Sequence, residues 1–298
     1  MNVPRRLAIV LVRGALVLSM LAAPPALSAQ GRDMSEVRII PHQVANGIYY
    51  LEGQGGNIGL YVGEDGVIMI DDQFAPLTDR ILAAIRQIDP GEIRFVINTH
   101  VHGDHTGGNE NLGKMGILIL ARDAVRVRLA ATANMAAEAL PVLTFSEPIT
   151  IHLNGGTVRA IPVAPAHTDG DSFIHFVDED VIHAGDVFRT IAYPYIDLAT
   201  GGTLQGTLDA LGVLIGMSGP NTKIIPGHGT VSTRADVIAF RDMILDVRAR
   251  VAALVAQGRT IEQVLAARPA SAYEAQRGND QTSLERFIRG VYAGVGGT

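Results

Sequence analysis

Three histidines and one aspartate fall within the six residues His100-Val101-His102-Gly103-Asp104-His105, in a chain that has nine histidines. They follow the apolar run Phe95-Val96-Ile97, which is typical of a short buried strand. Alternate residues at a strand end point the same way, so His100 and His102 can face one point. A loop or first helical turn can aim Asp104 and His105 at a second point about 3.5–4 Å away, the usual separation in two-metal sites. Imidazole and carboxylate without thiolate favour zinc, iron or manganese.

Composition limits the alternatives. With 298 residues and 47% hydrophobic side chains, the chain can bury a sizeable core, as one large unit or two fused ones. There is no cysteine, which excludes disulfides, thiolate zinc sites and a cysteine nucleophile.

Residues 1–29 are predicted to be a secretory signal peptide. An arginine pair precedes the apolar run Leu7–Ala23, and small residues suited to cleavage near Ser28 or Ala29 follow. A membrane anchor is the alternative, but the run is barely long enough to span a bilayer and Arg13 interrupts it. We therefore expect a periplasmic or secreted protein with no membrane attachment after signal removal.

The net charge of the chain limits the classes of partner that it can bind. Removing residues 1–29 takes away three arginines and no acidic residue, so the net charge moves from −6 to −9. An acidic mature chain argues against nucleic acid and against an anionic membrane surface. A small-molecule substrate is the partner that remains, and the oligomeric state is left open.

Strand and helix patterns alternate along the chain. Helical spacing predicts helices over Thr78–Ile88 and Thr203–Met217, with mostly helix after about Thr233. Residues 130–147 carry no clear pattern. Strands are predicted from short apolar runs over Ile48–Leu51, Ile58–Val62, Val67–Ile70, Arg94–Asn98, Gly116–Ala121, Ile149–Leu153, Thr157–Ile161, Ser172–Val177, Val181–Ala184 and Lys223–Ile225. Two similar halves meet near residue 150, which favours a layered α/β sandwich over a barrel.

Three further segments hold candidate metal ligands. They are Ala166-His167-Thr168-Asp169-Gly170-Asp171, His183-Ala184-Gly185-Asp186 and Pro226-Gly227-His228-Gly229. Each lies at a predicted strand end or a glycine-rich turn, where the backbone exposes a polar side chain. Each segment alone is weak evidence for a metal site. Together with the earlier segment His100–His105, and in this order, the four segments are specific evidence. The remaining histidines, His42, His152, His175 and His183, are interpreted as structural or surface residues.

With these segments the sequence resembles the metallo-β-lactamase superfamily over roughly residues 40–232. The resemblance implies an α/β fold, a four-layer αββα sandwich, in one hydrolase domain over residues 36–298 that ends in a helical segment. It implies a binuclear site between the two sheets, with Asp71 as a support rather than a ligand. The implied ligands are His100, His102 and His167 for the first metal, Asp104, His105 and His228 for the second, and Asp186 as a bridge.

The ligand chemistry agrees with this resemblance. Three neutral histidines leave one zinc position open for a water molecule, whose pKa falls toward about 7. We therefore expect two Zn²⁺, with iron or manganese as alternatives, and attack of a metal-bound hydroxide on a carbonyl with acid–base help from Asp104. Thr168 and Asp171 are candidates for orienting His167 or its loop, or alternatively form a capped turn.

The substrate is less constrained than the chemistry. Arg189 has the spacing from Asp186 at which some family β-lactamases carry a cation for the substrate carboxylate, and an arginine fork suits that role. We predict an exported zinc hydrolase that cleaves a cyclic amide or ester, with a β-lactam as the leading guess. However, family β-lactamases often have cysteine or serine where Asp186 stands.

The alternatives are a glyoxalase II-like thioesterase or a lactonase, more distantly an iron-dependent sulfur dioxygenase, and last a metal-binding protein without activity. Glyoxalase II enzymes normally add a basic C-terminal region, and residues 270–298 show no clear basic cluster. Metal content separates hydrolase from dioxygenase, since two zinc ions favour the first and one iron the second.

Overall fold

The predicted strands assemble into two β-sheets in a computed structural model, which describes residues 33–278 and 280–297. Residues Met34–Thr298 group into one compact unit. The predicted signal peptide, residues 1–29, lies outside the described residues. None of the helices in the described part of the chain is both long enough and apolar enough for a bilayer crossing.

The first sheet has seven strands in sequence order. They are β1 (Ile40–Ala45), β2 (Ile48–Glu52), β3 (Ile58–Gly63), β4 (Gly66–Ile70), β5 (Ile93–Asn98), β6 (Leu118–Arg122) and β7 (Leu143–Phe145). Strands β1 to β4 form an antiparallel meander, and β4 to β7 are parallel. The helices in this half are α1 (Thr78–Ile88), α2 (Gly103–Thr106), α3 (Asn109–Lys114) and α4 (Asp123–Ala131).

The second sheet has five strands in the order β12-β11-β10-β9-β8. They are β8 (Ile149–Leu153), β9 (Gly156–Pro162), β10 (Ser172–Phe176), β11 (Val181–His183) and β12 (Lys223–Ile225). Only the β11–β12 pair is parallel within this described sheet. The helices are α5 (Leu204–Met217), α6 (Arg234–Ala256), α7 (Ile261–Ala266), α8 (Glu274–Arg277) and α9 (Gln281–Gly294).

Side-chain alternation along β4 shows how the layers stack. Ile68 and Ile70 lie in the core between the two sheets. Val67 and Met69 point to the other face and pack with residues of α1. The outer face of the second sheet is covered in the same way by α5, α6 and α9, through residues such as Phe240. The result is the predicted four-layer αββα sandwich.

Two strands were not predicted from the sequence. Strand β1 contains Pro41 and has mostly exposed or half-buried side chains, so it lacks the apolar alternation of a strand. Strand β7 has three residues and lies within residues 130–147, which also hold a short 3-10 turn at Ala137–Ala139. Both are edge strands, where little burial is needed and the sequence signal is correspondingly weak.

Candidate metal centre

The candidate site lies where parallel strands of both sheets end. Strands β4 and β5 are parallel neighbours in one sheet, and β11 and β12 are parallel neighbours in the other. The segments that follow these strands therefore meet at one edge of the sandwich. All seven predicted ligand residues come together there, in three groups whose donor atoms lie within 4.8 Å of one another: His100 with His102 and His167, His100 with His105 and Asp186, and Asp104 with His105 and His228.

The first cluster consists of His100, His102 and His167. His102 Nδ1 and His167 Nε2 lie 2.8 Å apart. The other ring nitrogen of each donates its proton elsewhere: His102 Nε2 to Asp197 Oδ2 at 2.8 Å and His167 Nδ1 to the Tyr195 carbonyl at 2.6 Å. When both rings are neutral, their two lone pairs face each other, an arrangement that a cation would stabilise.

His100 is oriented by a hydroxyl group. Thr99 Oγ1 donates to Asp71 Oδ2 at 2.7 Å and lies 3.0 Å from His100 Nδ1. Because the single hydroxyl proton is committed to the carboxylate, Oγ1 accepts the proton of His100 Nδ1. His100 Nε2 is then left as a buried lone pair, and it has no hydrogen-bond partner among the described residues.

The second cluster is richer in carboxylates. His228 Nε2 lies 3.2 Å from Asp104 Oδ2 and 3.3 Å from Asp186 Oδ1. His105 Nε2 lies 3.3 Å from the same Asp186 oxygen, at an angle that makes no hydrogen bond. His167 Nε2 of the first cluster is 3.7 Å from Asp186 Oδ2. Asp186 thus stands between the two clusters, and the family resemblance implies a bridging carboxylate at this residue.

Asp71 supports one histidine of each cluster. Its Oδ2 accepts the proton of His105 Nδ1 at 2.7 Å and also the Thr99 hydroxyl that holds His100. Its Oδ1 accepts the Thr99 backbone N–H at 2.7 Å. The backbone of Asp71 has φ +62°, a conformation that costs energy for a residue with a side chain. One strained turn therefore fixes the carboxylate on which both clusters depend.

The two clusters differ in their protonation. Burial, together with the neighbouring imidazoles, lowers the pKa of His100 well below its usual value. Burial likewise lowers the pKa of His167 to about 3. Both rings are therefore neutral near pH 7, which is the form that binds a cation.

In the second cluster, charge outweighs burial. Burial lowers the pKa of His105, but Asp104, Asp71 and Asp186 raise it well above its usual value. The pKa of His228 is raised in the same way by Asp186 and Asp104. Burial raises the pKa of Asp104, yet the two histidines hold it below its usual range. The carboxylates are therefore ionised and available to a cation.

The centre is partly open to solvent. His105 is fully buried, whereas the side chains of Asp104 and His102 are 30% and 22% exposed. Arg189 lies at the same centre, with its Nη2 3.8 Å from Asp186 Oδ2, and its buried Nε has no hydrogen-bond partner within the described residues.

Thr168 and Asp171 brace the loop that carries His167. Thr168 donates to Asp171 through its hydroxyl at 2.7 Å and its backbone N–H at 2.9 Å, which closes a capped turn. Burial raises the pKa of Asp171 to about 7 despite these bonds. The His167 ring itself is held by Tyr195 instead. The two residues thus act on the backbone of the loop.

The four remaining histidines lie apart from the groups of donor atoms. His183 is buried and donates from Nε2 to the Asn57 carbonyl at 3.0 Å. Asn57 in turn donates to the carbonyls of Pro226 and Gly229, both at 2.9 Å, and so joins the first sheet to the loop of His228. His152 is exposed, His175 is half-buried, and His42 stacks on Tyr50.

Sequence reasoning missed three residues that hold this site: Asn57, Thr99 and Asp197. Thr99 directly precedes His100, so its position was a usable signal. Asp197 is 95 residues from His102 in sequence, and nothing in its neighbourhood marks it as a partner. Its interaction depends on the path of residues 189–202 and could be found only in three dimensions.

The residues present fit divalent cations. His100 Nε2, His105 Nε2 and Asp186 Oδ1 are buried and lack hydrogen bonds within the described residues. Unpaired buried donors and acceptors are rare and call for an explanation, such as an ion. The donor set of imidazole and carboxylate suits zinc, iron or manganese, as the sequence predicted.

Comparisons with known proteins agree with this geometry. The family model of the metallo-beta-lactamase superfamily matches residues 51–228. The solved metallo-beta-lactamase from Pontibacter korlensis is similar at 15% identity and TM-score 0.62, covering 70% of this chain and 100% of its own. The DIM-1 metallo-beta-lactamase is similar at 15% identity and TM-score 0.61, covering 70% of this chain and 98% of its own.

A double mutant of the sec-alkyl sulfatase PisA1 is also similar, at 18% identity and TM-score 0.70, over 85% of this chain and 50% of its own. The solved structures share the fold, and the family model covers more than half of this chain, including both clusters. The chain therefore belongs to the metallo-β-lactamase superfamily and is a metallohydrolase.

Proposed function

We propose that this protein is an exported hydrolase that binds two zinc ions and cleaves a cyclic amide or ester, with a β-lactam as the first substrate to test. The observation that carries the metal assignment is the 2.8 Å distance between His102 Nδ1 and His167 Nε2, in rings whose other nitrogens both contact oxygen acceptors. The predicted carboxylate-binding Arg189 beside Asp186 favours substrates with a carboxylate, as β-lactams have.

In this proposal each cluster holds one cation. His100, His102 and His167 would hold the first, and Asp104, His105 and His228 would hold the second, with Asp186 as a ligand available to either. When bound, such ions supply a water molecule of lowered pKa and stabilise negative charge that develops on the substrate.

Asp104 is the proposed acid–base residue. It has the most exposed carboxylate of the clusters, with 30% of its side chain accessible. Its pKa, held low by His105 and His228 against the effect of burial, keeps it ionised at neutral pH. An ionised carboxylate at the open side can accept a proton from water and pass it to the leaving group.

Arg189 is the proposed group for the substrate carboxylate. Its guanidinium lies near Asp186, and no hydrogen-bond partner of its Nε is found among residues 33–278 and 280–297. The change Arg189→Ala should therefore raise the KM for carboxylate-bearing substrates and leave that for neutral ones unchanged. An equal effect on both would contradict carboxylate recognition.

The decisive experiment is a hydrolysis panel on zinc-loaded protein, with nitrocefin, a lactone and a glutathione thioester side by side. Hydrolysis of nitrocefin or the lactone supports the proposal, whereas preference for the thioester would replace it by a glyoxalase II-like activity. Elemental analysis should give two zinc ions per chain. One iron ion per chain, together with oxygen consumption on a sulfur substrate, would indicate the dioxygenase alternative. Full metal occupancy without turnover of any substrate would indicate a metal-binding protein without activity.

A matched histidine pair tests the ligand assignment. His102→Ala should abolish turnover and lower the metal content, because it removes one lone pair of the first cluster. His152→Ala is the control, since this histidine is exposed on β8, away from the donor groups. Unchanged activity of His102→Ala would remove His102 from the ligand set.

Export through residues 1–29 completes the proposal. Expression of the full chain in a bacterium should yield a periplasmic or secreted form whose intact mass places the new N-terminus near residue 29. An unprocessed chain retained in the cytoplasm would contradict this part alone.

A further inference from the structure

The C-terminal helix α9 reaches the first cluster through the segment Tyr193–Asp197. The Tyr193 backbone N–H donates to Ser283 Oγ of α9 at 2.9 Å, and its ring stacks on Phe287 with centroids 5.9 Å apart. The helix also approaches Ile196 closely at Gly290, where a Cβ atom would lie 3.0 Å from the Ile196 Cβ. Because α9 follows residue 228, it lies beyond the part of the chain that the family model matches.

Tyr195 forms a wall beside the first cluster. Its ring lies nearly parallel to the His102 ring, at 15° with centroids 5.7 Å apart, and 5.3 Å from the His167 ring. The residue is half-buried, so part of the ring is accessible. The accessible part of the ring offers contact area to a planar or apolar part of a substrate.

A cation from α9 lies over this ring. The Arg286 guanidinium carbon is 4.9 Å from the Tyr195 centroid, and the residue is exposed. Within residues 33–278 and 280–297 Arg286 forms no ion pair, whereas Arg289 on the next turn pairs with Glu285 at 2.7 Å. Its cationic group is held by the ring and by a hydrogen bond from Nε to the Thr282 carbonyl at 3.4 Å, and it is not neutralised by a described carboxylate.

The carboxylate of Asp197 is engaged elsewhere. Its Oδ2 accepts from His102 and from the Thr200 hydroxyl, and its Oδ1 accepts from the Ala199 backbone N–H. Asp197 is therefore occupied by partners of its own, and the Arg286 guanidinium forms no ion pair with it.

We propose that Arg286 and Tyr195 form a recognition site for a substrate fragment that joins a planar or apolar group to a carboxylate. The proposal rests on the hydrolase function proposed above and deepens it, since it assigns an anionic fragment to the first-cluster side in addition to the one that Arg189 would bind. The guanidinium fork would hold the carboxylate, and the tyrosine ring would contact the adjoining group.

The test is equilibrium binding of 2-naphthoate to the zinc-loaded protein, with the neutral 2-naphthamide as the matched probe. We expect R286Q to bind 2-naphthoate about five- to tenfold more weakly than the unchanged protein and to bind 2-naphthamide equally well. R289Q, which removes a paired arginine of the same helix, should behave as the unchanged protein. Tyr195→Leu should weaken both probes, because the ring contact is common to them.

Three results would overturn the proposal: no detectable binding of 2-naphthoate to the unchanged protein, the same affinity in R286Q, or an equal loss of both probes in R286Q. Because the assay needs no turnover, it separates the two proposals. If R286Q weakens binding of 2-naphthoate but not of 2-naphthamide, and the protein hydrolyses none of the panel substrates, the proposed function is rejected and the recognition site is retained. If the protein hydrolyses a panel substrate but R286Q binds both probes as the unchanged protein does, the recognition site is rejected and the proposed function is retained.

Discussion

Replacing Thr99 by valine tests whether the proton on His100 is fixed from outside the cluster. Valine has nearly the same shape as threonine but cannot form the two hydrogen bonds of Oγ1, to Asp71 at 2.7 Å and to His100 at 3.0 Å. The backbone N–H at this position still donates to Asp71 Oδ1. The change therefore removes one hydroxyl group and leaves the fold of the loop intact.

The expected loss follows from burial. Thr99 and His100 are each 1% exposed, so the His100 Nδ1 proton cannot find water as a substitute partner. A buried donor left unpaired costs about 1–3 kcal/mol, which we expect to see in the free energy of unfolding of the metal-free protein. Loss of such an outer contact to a metal-binding histidine typically lowers metal affinity about 10–100-fold.

Chelator competition on the zinc-loaded protein measures this affinity directly, and Thr99→Ser is the matched control because it keeps the hydroxyl. We expect Thr99→Val to lose the first zinc more readily than the second, and Thr99→Ser to resemble the unchanged protein. If Thr99→Val binds both zinc ions as tightly as the unchanged protein, the hydroxyl does not set the His100 proton.

Three further substitutions have clear expected outcomes. Asp186→Asn should weaken the second metal more than the first in elemental analysis, since the carboxylate contacts both histidines of the second cluster, and equal retention would contradict this. Asp197→Ala should lower first-site affinity about tenfold in chelator competition, because His102 Nε2 loses its acceptor. Gly227→Ala should lower the free energy of unfolding by roughly 1–3 kcal/mol in denaturant titration, because the added Cβ would lie 2.0 Å from Asp186 Oδ1. Gly212→Ala is the control: its Cβ would meet open space, so the change should be neutral or stabilising.

The seven residues that form the two clusters could be found from the sequence because their chemistry is local. His100 to His105 directly follow a strand, and His167, Asp186 and His228 lie in short turns after strands. When donor residues lie at strand ends, the order of the strands in the sheets is enough to predict that the donors meet. The layered α/β sandwich was predicted from the alternation of strand and helix patterns along the chain.

The residues that orient the clusters were not predictable in this way. Tyr195 and Asp197 act on His167 and His102 through a segment with no regular pattern, and α9 fixes that segment from about 90 residues further along the chain. Pairings of this kind depend on the packing of side chains between distant elements. Nothing in the residues around Asp197 distinguishes it from an ordinary turn aspartate.

The origin of the donor groups has a consequence for the folded protein as a whole. His100 to His105 come from the half of the chain that builds the first sheet, whereas His167, Asp186 and His228 come from the half that builds the second. A bound ion would thus act as a cross-link between halves that are distant in sequence. By mass action, free metal at 100 times its dissociation constant adds about 2.7 kcal/mol to stability. Resistance to heat and proteolysis would then rise and fall with the metal supply of the compartment.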